Sequence, residues 1–233
     1  MHNTHVFATI VAHMIAAQLI NKELPVLSLK DKISKAIDLM DKYKVAHLPL
    51  VEKNVYLGLV SEKALLALAI PNEILKGHVD SLVRPFMFED QHLFDALKLI
   101  DTFKISLVPV LSKDEKYIGS FSEYSLADSI TGLTAVQQPG GIIILEMNPK
   151  DYTLTQIAKI VEENDARILA CYLTPQQGTE RIEVTLKINR EDLSAILQTF
   201  SRFNYTVKTS FHQSEYDEDM RRRFELFMNY VNM

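Results

Sequence analysis

The sequence predicts an α+β protein in which a repeated strand–helix–strand–strand–helix unit precedes a separate βαββαβ module. Two observations predict it. The octapeptide Lys44-Val45-Ala46-His47-Leu48-Pro49-Leu50-Val51 returns 60 positions later as Lys104-Ile105-Ser106-Leu107-Val108-Pro109-Val110-Leu111. Beyond Gln137-Gln138-Pro139-Gly140-Gly141 the repeat stops, and a new succession of apolar runs and helical stripes begins. With 233 residues, 47% of them hydrophobic and 24% charged, the chain can form more than one core.

The repeat extends on both sides of the octapeptide. Tyr56-Leu57-Gly58-Leu59-Val60-Ser61 returns as Tyr117-Ile118-Gly119-Ser120-Phe121-Ser122, now offset by 61, as expected if the hairpin turn between them gains one residue. Ile33, Ala36, Ile37 and Met40 mark one helix face, and Leu93, Ala96, Leu97 and Ile100 mark its copy. Ser28 with Asp31, and Asp90, precede these stripes as expected N-terminal caps. Short apolar runs around the polar turns Lys53-Asn54 and Lys113 to Lys116 predict two β-hairpins. A helix follows each, over Glu62 to Ile70 and Glu123 to Ile130.

In the second half, the apolar run Gly141 to Met147 predicts a central strand, and Leu154, Ile157, Ala158 and Val161 a helix. Ile168 to Leu173 predicts a strand and Pro175 to Gly178 a turn. Ile182, Val184, Leu186 and Ile188 alternate with Arg181, Glu183, Thr185 and Lys187, a strand with one wet face. Leu193, Ile196, Leu197 and Phe200 predict a second helix; Tyr205, Val207, Thr209 and Phe211 a last alternating strand. That order is the ferredoxin-like arrangement.

The net charge of −5 without a basic block over most of the chain argues against nucleic acid as a partner. No apolar run reaches the roughly 18–20 residues of a membrane helix, and the single Cys171 suits a reducing, cytoplasmic setting. Val6 to Ala12 lacks the basic flank and cleavage site of a signal peptide. Catalysis finds no support. None of the seven histidines has metal-ligand spacing with another His or Cys, and there is no Gly-rich phosphate loop, nucleophile elbow or Cys–His signature. Cys171 reads as a small buried hydrophobe in mid-strand.

The first half resembles the CBS-domain family over roughly residues 14–132. The resemblance rests on the hydrophobic-x-Pro-hydrophobic strand after the first helix and on the Gly-x-x-Ser that closes the hairpin, both present twice in the same order. The second module looks like an ACT domain, and the combination is similar to the acetoin-utilisation regulator type of CBS–ACT protein. The implied fold is a tandem CBS pair (Bateman module) followed by a ferredoxin-like, ACT-like domain. Its expected parts are an extension at 1–13, CBS repeats at 14–75 and 76–136, an ACT-like domain at 137–213 and a helical tail at 214–233. In the tail, Met220, Phe224, Phe227, Met228 and Val231 fall at helical spacing beside Arg221-Arg222-Arg223.

The resemblance implies a non-catalytic regulator that responds to a ligand by changing conformation within a dimer. CBS clefts accept adenosine compounds, so AMP, ADP, ATP or S-adenosylmethionine are the expected ligands. Homodimerisation through the CBS pair and the ACT domain is implied too, together with a regulated protein of unknown identity and no membrane partner. The alternative is an assembly module that holds no ligand. For a nucleotide, Ser61 and Ser122 would meet phosphate, and the backbone at His47-Leu48 and Leu107-Val108 would meet the base.

Both serines suit helix capping equally, and His47 either faces the cleft or completes a buried hydrogen bond. The family's ribose-binding Asp, three residues beyond the Ser, is replaced by Ala64 and Ser125. Losing a charged hydrogen bond costs about 1.5–3 kcal/mol. Glu62 and Glu123 lie nearby but are expected to project elsewhere. In the ACT-like module the loop after the first strand, Asn148 to Thr153, offers Asp151 for an amino group or as a helix cap, and Tyr152 as a side chain that fills the pocket.

Overall fold

The computed structural model describes residues 14–68 and 70–211. The extension at 1–13 and the tail at 214–233 lie outside the described residues. Contacts divide the chain into two compact units, Met1–Ile130 and Thr131–Met233.

The first unit holds both copies of the repeat. A short helix α1 (Ala16–Leu19) leads into α2 (Ile33–Tyr43), the hairpin β1 (His47–Glu52) and β2 (Val55–Ser61), and α3 (Glu62–Leu68). A 3-10 turn (Leu75–Ser81) precedes β3 (Met87–Phe88), α4 (Leu93–Phe103), β4 (Leu107–Leu111), β5 (Tyr117–Ser122) and α5 (Glu123–Leu133). The two copies match in detail. Leu27 bridges Leu50 in parallel, just as Met87 pairs in parallel with Val110. Each hairpin breaks register at the same place, between Leu50 and Val51 and between Val110 and Leu111. The 61-residue offset also has its cause: Lys53 and Asn54 close the first hairpin with positive φ at both residues, the primed turn favoured in two-residue loops. The second hairpin closes over Lys113 to Glu115, where Ser112 N–H donates to the Lys116 carbonyl.

Both first helices end alike, on a lysine in the left-handed conformation: Lys44 at φ +55° and Lys104 at φ +51°. Each lysine pairs with the aspartate three residues before it, Asp41 at 2.8 Å and Asp101 at 2.5 Å. Their starts differ from expectation. Asp31 accepts from Ser28 N–H (2.9 Å) in the turn before α2, and burial, which raises its pKa, is outweighed by Lys35 and Ser28. In the second copy Gln91 makes the matching bond, accepting from Phe88 N–H at 2.7 Å. His92 caps α4 through Phe94 N–H. Asp90 is not the cap; it pairs with Lys113 at 3.2 Å. Leu97, expected on the buried stripe, is 39% exposed, while Leu93 and Ala96 are fully buried.

One apolar core runs through both copies and includes Leu27, Met40, Leu48, Tyr56, Leu107 and Phe121. The copies are locked by an exchange of lead-in segments. Ile20, ahead of the first copy, lies over Gly119 of the second, and Leu82, ahead of the second, lies over Gly58 of the first. Asn21 N–H donates to the Ser120 carbonyl (2.8 Å) and Leu59 N–H to the Val83 carbonyl (2.9 Å). A Cβ on Gly58 would sit 2.7 Å from the Leu82 Cβ. The equivalent tyrosines Tyr56 and Tyr117 stack with ring centres 6.5 Å apart. The Tyr56 hydroxyl donates to the Pro85 carbonyl at 3.0 Å, and burial raises its pKa.

The second unit is a four-stranded antiparallel sheet in the order β7-β8-β6-β9, from β6 (Ile142–Met147), β7 (Ile168–Pro175), β8 (Ile182–Ile188) and β9 (Thr206–Phe211). Helices α6 (Leu154–Glu162) and α7 (Ser194–Arg202) complete the ferredoxin-like βαββαβ fold. Ile143, Leu145, Val184 and Leu186 share a buried cluster with Ile157, Ile160, Val161, Ile196 and Phe200 of the helices. Three details depart from the sequence pattern. Leu154, at the first position of α6, is exposed. Cys171 is half-buried rather than enclosed. A bulge in β9, where partners shift from Val207 opposite Leu145 to Thr209 opposite Ile144, breaks the alternation and leaves Phe211 exposed.

Because the lead-ins press directly on the two glycines, adding one methyl there overpacks the seam. Gly58→Ala is expected to lower stability by about 1–3 kcal/mol, read from the urea midpoint of the full chain. The cost of Gly119→Ala is expected to shrink when Ile20→Ala is combined with it, since the clash is with that side chain.

Candidate functional site

The two copies enclose hollows that are equivalent by sequence but unequal in space. At the first copy, Ser61 and Ala64 line a cavity of only about 90 Å³. Leu65, Leu68, Leu75 and Leu82 fill its walls, two of them contributed by the 3-10 turn and the segment behind it. At the second copy, Ser122, Glu123, Tyr124 and Ser125 line a cleft of about 690 Å³. Its opposite wall comes from Asn21 and Leu24 of the lead-in and from Tyr43, Lys44 and Val45 at the end of α2.

Ser122 sits at the N-terminus of α5. Its hydroxyl accepts from Ser125 N–H (3.2 Å) and lies 3.2 Å from the Ser125 hydroxyl. It therefore caps the helix while still lining the cleft. Glu123 does not project away from the site as the sequence led us to expect; it borders the cleft as well as the neighbouring hollow at His47. Tyr124 stands 80% exposed at the cleft wall. The side chains of Leu48, Leu107 and Val108 are wholly buried in the core, and their strands pair in the hairpins. What these three have to offer a ligand is backbone alone.

His47 belongs to the seam between the copies rather than to the large cleft. Ser106 N–H donates to His47 Nδ1 at 3.2 Å, and the Ser106 hydroxyl accepts from Ala46 N–H at 2.9 Å. An accepting Nδ1 assigns the neutral ring protonated at Nε2. Burial holds the His47 pKa below its ordinary value, against the opposing pull of Glu123 and Glu62. A second hollow of about 530 Å³ opens beside it, lined by Leu97, Ile100, Asp101 and Lys104.

In the second unit a polar hollow of about 390 Å³ lies at the end of β6, lined by Glu146, Asn148, Asp151, Gln156 and Arg181. Asp151 accepts from the Asn148 amide at 3.0 Å and does not cap α6, whose N-cap Thr153 makes no side-chain bond. Tyr152 does not line this hollow. It packs on the core next to Cys171, and burial raises the pKa of both. Arg181 holds Glu146 in an ion pair that keeps the carboxyl below its usual range. Among the described residues, no group of three or more His, Cys, Asp or Glu is placed to hold a metal ion. No helix among them is long and apolar enough to cross a membrane.

Sequence reasoning singled out the serines but passed over Asn21, Leu24, Tyr43, Lys44 and Tyr124. A signal for two of them was present: Tyr124 follows Ser122 by two residues, and Lys44 closes a helix in the same way as its copy Lys104.

The described fold is a duplicated hairpin-and-helix unit with exchanged lead-ins, followed by a ferredoxin-like sheet. Residues 16–70, the first copy of the unit, match the family model of the CBS domain. Among solved structures the chain is similar to a CBS domain pair/ACT domain protein from Thermotoga maritima, at 18% identity and a TM-score of 0.46, over 51% of this chain and 98% of that one. It is also similar to CBSX2 in complex with AMP (21% identity, TM-score 0.43, 51% and 96%). A third is a putative acetoin utilization protein from Vibrio cholerae (20% identity, TM-score 0.43, 53% and 94%).

The environment of His47 sets a pH dependence. Its folded-state pKa is depressed, so the stability tied to the neutral ring is present above the unfolded value of about 6.5 and is lost as pH falls below it. Urea midpoints measured on either side of that value are expected to drop on acidification. His47→Leu, which installs the residue type of its counterpart Leu107, is expected to reduce the drop.

Proposed function

We propose that the protein is a non-catalytic, ligand-responsive regulator that takes an adenine nucleotide in the cleft of its second repeat. The observation that carries this reading is the inequality of the hollows: about 690 Å³ at Ser122 against about 90 Å³ at Ser61. CBS domains commonly serve regulation, and the similar CBSX2 structure is a complex with AMP. The chemistry of the larger cleft suits such a ligand. Tyr124 offers a ring for a base, Ser125 and Glu123 offer acceptors for ribose hydroxyls, and Lys44 offers a cation for phosphate. With Ser125 in the position of the family's Asp, affinity falls to Glu123 and to stacking. A regulatory effect further requires that the ligand prefer one of two conformations, not merely that it bind.

Calorimetry of the full chain with AMP, ADP, ATP and S-adenosylmethionine tests this. One nucleotide per chain is expected. Tyr124→Ala is expected to weaken binding roughly ten- to hundredfold, since stacking a base on an aromatic ring is worth about 1–3 kcal/mol. Ser61→Ala should leave affinity unchanged. Absence of heat at millimolar concentrations of all four ligands would sink the proposal.

A second observation favours assembly. On α4, Phe94 is 56% exposed three residues from the exposed Leu97, an apolar strip on one helix face. We propose a second copy of the chain as its partner, in a homodimer. Light scattering at low micromolar concentration is expected to give twice the chain mass, and Phe94→Asp the mass of one chain. An unchanged mass in the variant removes α4 from the contact.

A further inference from the structure

The serines that close the two hairpins differ in their bonding. Ser122 has its hydroxyl occupied by Ser125, whose N–H and hydroxyl both lie 3.2 Å away. Ala64 stands where the second copy has Ser125 and offers no hydroxyl. Among the described residues, the Ser61 hydroxyl makes no hydrogen bond.

That hydroxyl lines the pocket of about 90 Å³ at the first copy. Leu50, Val60, Leu65 and Leu75, each no more than 3% exposed, form the inner wall. Ala64 and Leu68, both exposed, mark the mouth. No Lys, Arg, Asp or Glu is among the lining residues, and the other polar one, His78, is engaged by Glu73, Nε2 to carboxylate oxygen 3.5 Å. An ion placed among these leucines gives up its hydration without meeting a counter-charge on the wall. A nucleotide is far too large. An apolar cavity of about 150 Å³ holds benzene, so a smaller pocket with an open mouth suits roughly five heavy atoms.

We propose that the first copy takes a small neutral molecule in this pocket, apolar over most of its surface and carrying one hydroxyl or carbonyl. The apolar body lies on Leu65 and Leu75, and the polar group bonds to the Ser61 hydroxyl. This site goes beyond the nucleotide reading and needs neither the larger cleft nor its ligand. Its walls have two sources. Leu50, Val60 and Leu65 belong to the hairpin and helix of the first copy, whereas Leu75, His78 and Leu82 belong to the segment that leads into the second. An occupant therefore bridges α3 and the lead-in whose Leu82 presses on Gly58, and it holds the seam between the copies in one arrangement.

The test is a titration of the full chain, its leucine methyls labelled with carbon-13, with cyclobutanol. Saturable shifts confined to the pocket leucines, Leu65, Leu68, Leu75 and Leu82 among them, are expected at millimolar concentration. Cyclobutylamine, alike in size but charged, is expected to bind at least about tenfold more weakly. Ser61→Ala is expected to weaken cyclobutanol roughly two- to tenfold, the worth of one hydrogen bond. Ala64→Leu, at an exposed helix position that accepts leucine readily, is expected to close the mouth and abolish saturation. Leucine methyls remote from the pocket report that each variant is folded. Shifts that stay linear with concentration would overturn the proposal. So would equal affinity for the amine, an affinity unaltered by Ser61→Ala, or saturation that survives Ala64→Leu.

Discussion

The close approach of the two lead-in segments to Gly58 and Gly119 is the constraint on which the first unit depends. Each copy of the repeat lacks something the other supplies: a backbone edge for β2 or β5, and a side chain over the glycine. Because the debt is mutual, neither copy completes its core alone, which accounts for a single apolar cluster running through both. The stack of Tyr56 on Tyr117 and the bonds of Ser106 to Ala46 and His47 lie along the same seam. Buried polar contacts of this kind add specificity of docking more than raw stability, because desolvation offsets most of their gain.

Small departures from the repeat then separate the two hollows. The backbone around Ser61 and Ser122 is equivalent, yet leucines crowd the first site, and a lysine, two tyrosines and a glutamate border the second. At the seam, Ala46 and His47 stand where the other copy has Ser106 and Leu107, so one histidine and one serine bond across a nearly symmetric junction. Duplication thus provides the frame, and a handful of side chains assign different duties to its halves.

Most of the frame was legible in the sequence, since helical stripes and alternating strands are periodic signals that survive folding. Ile33, Ala36 and Met40, or Val184, Leu186 and Ile188, are buried as their spacing requires. The hairpin offset was legible too, as one extra turn residue. What escaped depends on contacts distant in sequence. The bulge in β9 arises from pairing with β6, and no local pattern announces it. Leu97 keeps its place in the stripe but stays 39% exposed, at the edge of the hollow beside His47. The narrowing at Ser61 is the work of Leu75 and Leu82, which approach from beyond α3. Asp90 and Asp151 resemble caps by type and position, yet Lys113 and Asn148 engage them instead.

Lys44 and Lys104 adopt a backbone conformation that costs an ordinary residue about 1–2 kcal/mol and glycine almost nothing. The same local penalty, incurred twice, sets an exposed Asp–Lys ion pair at the border of a cleft, Asp41 with Lys44 and Asp101 with Lys104. A glycine would make either helix end easier to form and leave Asp41 or Asp101 without its lysine. At each helix end, backbone ease is thus given up for a charged side chain, held by its aspartate, at the rim of a cleft.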